Sequence, residues 1–389
     1  MPRRWIWPVV LLALAGVDAW FDAWAADAAS TAQEARTDVL GVLGGGDEGF
    51  ARATAPRPFR FPADHGPHPE YRSEWWYYTG NVRAGDGRRF GFQLTFFRFA
   101  LTPEAAPRAS AWGTNQVYMA HFAVTDVAGQ RFHAAERFGR GALDLAGARA
   151  APYRVWLGGW QANAGATPFP LALQAADGGY GIDLRLEQGK PVVANGEAGL
   201  SRKSAEPGNA SYYYSIPRMP VSGRITTPDG AWQVEGAAWF DREWSSSALA
   251  PDQIGWDWFA LQLSDGRDLM VFRLRTRDGD ADPHSAGTLV EADGSSRSLS
   301  ARDFLLDELD HWASPRDAAR YPSRWRVRVP SAAIDVEVTP EVADQELDLA
   351  FRYWEGASRV AGVSADAEIT GRGHVELTGY GPRRLNVPR

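Results

Sequence analysis

The segment Val234–Ser247, VEGAAWFDREWSSS, concentrates the residue types that could carry out acid chemistry. Read as a strand, it places Ala237, Trp239 and Asp241 on one face and Ala238, Phe240 and Arg242 on the other. Asp241 then emerges from a lining of alanine and tryptophan, where loss of hydration favours its neutral form. A carboxyl group that stays protonated near neutral pH can act as a general acid. A second reading stays open at the same residues, with Asp241, Arg242 and Glu243 as an ion-pair cluster at a strand end. Ser245, Ser246 and Ser247 follow closely, yet the chain has no G-x-S-x-G elbow, so a hydrolase ranks last. It also lacks a G-x-G-x-x-G turn before a helix and a Walker A pattern, which leaves no visible nucleotide cradle.

The stretch His68–Asn81, HPEYRSEWWYYTGN, sets four aromatic rings in a row behind two acids and a base. In a strand Trp75 and Tyr77 share one face while Trp76 and Tyr78 share the other, so both faces are apolar. One can pack on a core while the other lines a cavity or meets a second sheet. GWDWFALQL, YRVWLGGWQA, GNASYYYSIP, AAWFDREW and FRYWEG likewise put aromatic rings beside charged or amide groups. A core does not need polar groups so close, whereas a large pocket with a few polar fixtures does. The residues expected to bind ligand are Trp75, Trp76, Tyr77, His121, Tyr213, Trp239, Trp244, Trp256 and Trp258, with Asp241 as the catalytic group. His121 shares a strand face with Met119 and reads as a satisfied interior imidazole or as a polar group of the pocket. His65, His68 and Glu70 form H-x-x-H-x-E, but two histidines in a Gly/Pro-flanked loop more often hydrogen-bond than ligate. No metal and no cofactor is expected.

The elements that must position these residues are mostly strands. RRFGFQLTFFRF and VYMAHFAV place Phe90, Phe92, Leu94 and Phe96, and then Tyr118, Ala120, Phe122 and Val124, on single faces with period two. Hairpin turns are expected at Asp86-Gly87, Asp229-Gly230, Asp265-Gly266 and Asp293-Gly294. Only SARDFLLDELDHW (Ser300–Trp312) and SPRDAARYP (Ser314–Pro322) look like short helices. WWYYTGNVRAGDGRRFGFQLTFFR echoes WDWFALQLSDGRDLMVFRLR, which two related β units would explain. The 389-residue length also leans towards two domains, with the junction between Gly236 and Trp256.

Composition narrows the partners. The net charge of -7 and the scattered lysines and arginines argue against nucleic acid. The absence of cysteine excludes disulfides, a thiol nucleophile and a Cys-anchored lipoprotein. MPRRWIWPVVLLALAG followed by small residues at Ala23 and Ala25 reads as a secretory signal cleaved after Ala25, which implies a secreted or periplasmic protein. Asp18 and Asp22 leave the apolar run shorter than the roughly 20 residues that span a bilayer. Residues 26–62, rich in Ala, Gly and Pro, read as a flexible tail.

In this order DHGPHPEYRSEWWYYTGN, FGFQLTFFR, YMAHFAVTD, GNASYYYSIPR, AAWFDREWSS, GWDWFALQL and VELTGY, from Asp64 to Tyr380, resemble the carotenoid 1,2-hydratase (hydroxyneurosporene synthase) and AttH-like lipocalin-like superfamily, in its branch of predicted secreted hydrolases. The resemblance implies a mainly β chain of two tandem lipocalin-like antiparallel barrel or sandwich domains with few short helices, at 63–245 and 246–389. It implies a large hydrophobic isoprenoid or lipid ligand. It also implies cofactor-free addition of water to an isolated C=C bond, with Asp241 of Trp239-Phe240-Asp241 as the proton donor. A non-catalytic carrier or an accessory protein of an ABC transporter is the alternative that the same resemblance supplies.

Overall fold

The computed structural model describes residues 46–104, 109–247 and 249–381, so the expected signal segment and the first part of the expected tail lie outside the described residues. The chain opens with a meander of β1 (Ser73–Ala84), β2 (Arg89–Ala100), β3 (Gln116–Asp126) and β4 (Arg131–Arg140). Five shorter strands follow: β5 (Ala146–Ala150), β6 (Tyr153–Leu157), β7 (Trp160–Ala164), β8 (Leu171–Asp177) and β9 (Tyr180–Leu186). After the short β10 (Val193–Ala194) and β11 (Leu200–Arg202) comes the long pair β12 (Ala210–Thr227) and β13 (Gly230–Ser245). These form one antiparallel sheet in the order β4-β3-β2-β1-β13-β12-β9-β8-β7-β6-β5, with β10 and β11 on β12.

The second sheet repeats the plan with β14 (Gln253–Leu263), β15 (Asp268–Thr276), β16 (Ala286–Val290), β17 (Ser296–Ser300), β18 (Leu305–Ala313), β19 (Arg320–Val329), β20 (Ile334–Pro340), β21 (Glu346–Asp348), β22 (Arg352–Ser364) and β23 (Ala367–Leu377). Its order is β17-β16-β15-β14-β23-β22-β20-β19-β18, with β21 on β22. In each sheet the first strand pairs with the last, β1 with β13 and β14 with β23. The two hairpins that echo each other in sequence, β1–β2 and β14–β15, therefore hold the same place in the two sheets. Gly87, Gly266 and Gly294 take the left-handed φ that their Asp-Gly turns require.

Each sheet curls around its own core, as a mainly β chain of two lipocalin-like units requires. Phe90, Phe92, Leu94 and Phe96 join Trp76, Tyr78, Phe122 and Trp244 in the first core, and β6 returns against β2, β3 and β4. Phe259, Trp325, Val336 and Trp354 fill the second. A third cluster, with Tyr77, Tyr213, Trp239, Trp258, Met270 and Phe272, draws on both sheets and packs them back to back. Burying one such side chain contributes about 1.5–3 kcal/mol.

Two expectations fail. Ser300–Trp312 and Ser314–Pro322 are not helical: the first lies mostly in β18 and the second is a turn running into β19. β18 is an edge strand and largely exposed, so it shows no alternating apolar face. Its charges, including Asp307 paired with Arg328 at 2.7 Å and Glu308 with Arg273, blunt an edge that would otherwise pair with another chain. The described part of the expected tail, residues 46–62, is a packed strap. Ala51 donates its N–H to the Glu70 carbonyl at 3.0 Å, and Phe59 packs on Tyr214 and Trp244. Arg57 pairs with Asp64 at 2.9 Å and lies over the Trp244 ring. Ring contacts at Phe59 and Arg57 outweigh the turn-rich composition of the segment.

Inside the first sheet the fully buried Glu74 accepts from Arg98, from Arg242 and from the His68 backbone N–H at 3.1 Å. Burial alone would raise its pKa, but Arg242 and Arg98 more than offset this and hold it well below the carboxylate range. Substituting Glu74→Ala leaves two buried guanidinium groups without their anion. The expected outcome is a loss of about 3–5 kcal/mol in unfolding free energy, measured by denaturant titration.

Candidate active site between the sheets

The outward face of β1 and β13 and the facing side of β14, β15, β22 and β23 enclose a cavity. Rings of Trp75, Tyr77, Phe97, Tyr213, Trp258 and Phe272 form most of its wall. The cavity volume is about 120 Å³. Partly exposed Trp75, Phe99, Lys203, Leu249 and Trp256 also line it, which connects it to the surface.

Asp241 projects into this cavity and is 4% exposed. Its Oδ2 accepts from the Tyr213 hydroxyl at 2.5 Å, while Oδ1 accepts from Ser215 Oγ at 2.5 Å and Trp239 Nε1 at 2.6 Å. Tyr213 in turn accepts from Trp258 Nε1 of the second sheet at 3.1 Å. Burial pushes the Asp241 pKa up, the three donors pull it back, and Glu243 raises it again, for a value of about 7. The ion-pair reading of Asp241 and Arg242 does not hold. Arg242 points to the opposite face, where it pairs with Glu74 and stacks over Trp76 at 4.0 Å. Among the described residues Asp241 is thus an acid without a cationic partner.

Three more carboxyl groups line the cavity. Glu243 accepts from Ser211 and pairs with Lys203 Nζ at 3.1 Å. Glu355 on β22 and Glu376 on β23 are cross-strand partners. Tyr77, directly opposite Asp241 in the first sheet, donates its hydroxyl to Glu355 Oε1 at 2.6 Å. Trp256 Nε1 donates to Glu376 Oε1 at 3.0 Å. Burial raises Glu376 to about 8, helped by Asp241 and Glu243, and burial together with Glu376 raises Glu355 well above its usual range. Neither glutamate was singled out in the sequence, although FRYWEG carries the available signal, an acid directly behind aromatic residues in a strand.

The expected ligand-binding residues divide by face. Trp75, Tyr77, His121, Tyr213, Trp256 and Trp258 line the cavity, and Trp239 backs it through its bond to Asp241. Trp76 and Trp244 do not reach it, because strand alternation turns both into the first core. There Trp76 donates to the His65 carbonyl at 2.9 Å and Trp244 stacks on His68 at 3.8 Å. His121 is held by Tyr353 at 2.8 Å and Glu136 at 3.0 Å. His65 meets the Tyr214 hydroxyl at 2.6 Å, and His68 stands between Asp64 and Glu74. Ser245 and Ser246 give their hydroxyls to backbone carbonyls at 2.8 Å and 2.5 Å, and neither contacts a histidine.

A family model described as AttH-like matches residues 52–380. Among solved structures, an AttH candidate from Nitrosomonas europaea is 34% identical, with 86% of this chain and 100% of that chain covered and a TM-score of 0.76. Kievitone hydratase from Nectria haematococca is 15% identical, with 85% and 97% covered and a TM-score of 0.64, a likeness of fold alone. A search of curated protein sequences found no match.

A carboxyl at about 7 in the fold and near 3.8 when unfolded binds its proton more tightly in the fold. Its contribution to stability is complete below about pH 4 and is lost as pH rises through about 7, a change of a few kcal/mol. Asp241→Asn is expected to flatten that part of the stability–pH curve, measured by denaturant unfolding across the window. Tyr213→Phe removes a donor to Asp241 and is expected to move its midpoint upward, as read by NMR titration of labelled carboxyl carbons.

Proposed function

Because the chain belongs to the AttH-like family and carries a buried, uncompensated aspartic acid in an aromatic cavity, we propose that it binds an isoprenoid end and hydrates its isolated C=C bond. The observation that carries this reading is the separation of Asp241 from Arg242 by the sheet itself. The Asp241 O–H bond breaks as its proton forms a C–H bond at the less substituted alkene carbon, leaving a tertiary carbocation and an aspartate. Water forms the C–O bond, and the proton it then loses restores neutral Asp241, so nothing is consumed except alkene and water. Facing rings such as Trp75, Tyr77 and Trp258 stabilise the cation by about 0.5–2 kcal/mol each.

The fold shared with kievitone hydratase is compatible with hydration, and the leader MPRRWIWPVVLLALAG supports a secreted or periplasmic setting. The test is incubation of wild type and Asp241→Asn with acyclic carotenoids and shorter terminal prenyl compounds, with products weighed by mass spectrometry. The expected result is a tertiary alcohol from wild type and a fall of about 10²–10⁴-fold in the variant. Equal product from both removes Asp241 from the mechanism. Compound retained by both without product favours a carrier that hands its ligand to an ABC transporter.

A further inference from the structure

Most polar groups on the cavity wall have partners within the protein; among the described residues, two of its fully buried side-chain atoms do not. Glu355 Oε2 and Gln93 Oε1 are both buried, and neither has a partner in hydrogen-bond geometry among the described residues, although the Tyr353 hydroxyl stands close enough to Glu355 to favour its charged form. Both residues line the cavity, Glu355 from the second sheet and Gln93 from β2 of the first. The orientation of Gln93 follows from Tyr353: with the His121 Nε2–H on Glu136 at 3.0 Å, the Tyr353 hydroxyl gives its proton to His121 Nδ1 at 2.8 Å, so its oxygen accepts from the Gln93 amide nitrogen at 3.0 Å, and Thr95 Oγ1 accepts the second N–H at 3.1 Å. The Gln93 oxygen is therefore an acceptor with no donor. Glu355 stands beside Glu376 in register, and two like charges directly opposite each other on buried strands are unfavourable. With Tyr77 on Oε1, a neutral Glu355 has its remaining oxygen available as an O–H donor. Leaving either atom unsatisfied in a buried wall is unfavourable.

One unsatisfied donor and one unsatisfied acceptor in a single cavity match the group that both accepts and donates. We propose that Glu355 and Gln93 form a hydroxyl-binding subsite, so that the occupant is an uncharged, hydroxylated isoprenoid in preference to a hydrocarbon. The ligand oxygen accepts from Glu355 and donates to Gln93 Oε1, while its apolar part lies along the rings towards Asp241. The groups that face the pair are Asp241, Glu243 and Lys203 from the first sheet, and Tyr77, Tyr353 and Glu376 around it. This subsite rests on the reading of the cavity as a ligand site but not on the hydration chemistry.

Tryptophan fluorescence on the full chain at about pH 7 can follow binding of citronellol, a prenyl alcohol, and of 2,6-dimethyl-2-octene, the same skeleton without the hydroxyl. One satisfied donor–acceptor set predicts about tenfold tighter binding of the alcohol. Glu355→Met is expected to abolish that preference. Glu355→Gln, which restores an N–H donor, is expected to retain most of it and guards against a general packing defect in the methionine variant. Equal affinity of wild type for both compounds, or an undiminished preference in Glu355→Met, overturns the subsite and leaves the cavity as a ligand site. Binding of neither compound overturns both readings.

Discussion

Neighbouring residues in a strand face opposite sides of their sheet, and in β13 that rule separates Asp241 from Arg242. Arg242 goes inward to a buried anion, Glu74, and to the ring of Trp76; Asp241 goes outward among tyrosine and tryptophan rings. Glu74 therefore does more than hold the first core together. By retaining Arg242 on the inner face it keeps a cation away from the acid next door. The same alternation in β1 sends Trp76 and Tyr78 to the core and Trp75 and Tyr77 to the cavity.

The cavity is an unusual place for four carboxyl groups in a chain that already carries a net charge of -7. Among the described residues Glu243 alone of the four has a cation beside it, the Lys203 ammonium. Burial drives Asp241, Glu355 and Glu376 towards their neutral forms. Neutral acids are hydrogen-bond donors and proton sources, whereas carboxylates would repel one another and bind water strongly. The apolar rings thus set the chemistry by excluding solvent as much as by contacting a guest.

Much of this was legible in the sequence wherever one face is buried and the other is not. Phe90 to Phe96 alternates because every second ring enters the first core, and the Asp-Gly pairs mark tight turns because glycine supplies the backbone angle. Asp241 was legible because it follows Trp239 on the same face. Ser300–Trp312 misled because an exposed edge strand has no buried face to impose a period, so its leucines and acids mimic a helix. Trp76 and Trp244 were counted as ligand contacts on residue type, although the pairing of Trp75 with Tyr77 already implied that Trp76 faces elsewhere. Glu355 and Gln93 escaped notice because what distinguishes them is a missing partner, and partners come from strands far away in the chain.

Pairing the first strand of each sheet with its last has a consequence for how the molecule is made. β1 is synthesised long before β13, and β14 long before β23, so each curled sheet waits on contacts of very high sequence separation and closes late. Until then the aromatic edge of β1 has no partner on that side, a state prone to association with other chains. Asp241 arrives on the strand that closes the first sheet, and Glu376 on the strand that closes the second. No nascent fragment can therefore enclose Asp241 in a dry cavity: that enclosure appears only when the ribosome has delivered both closing strands.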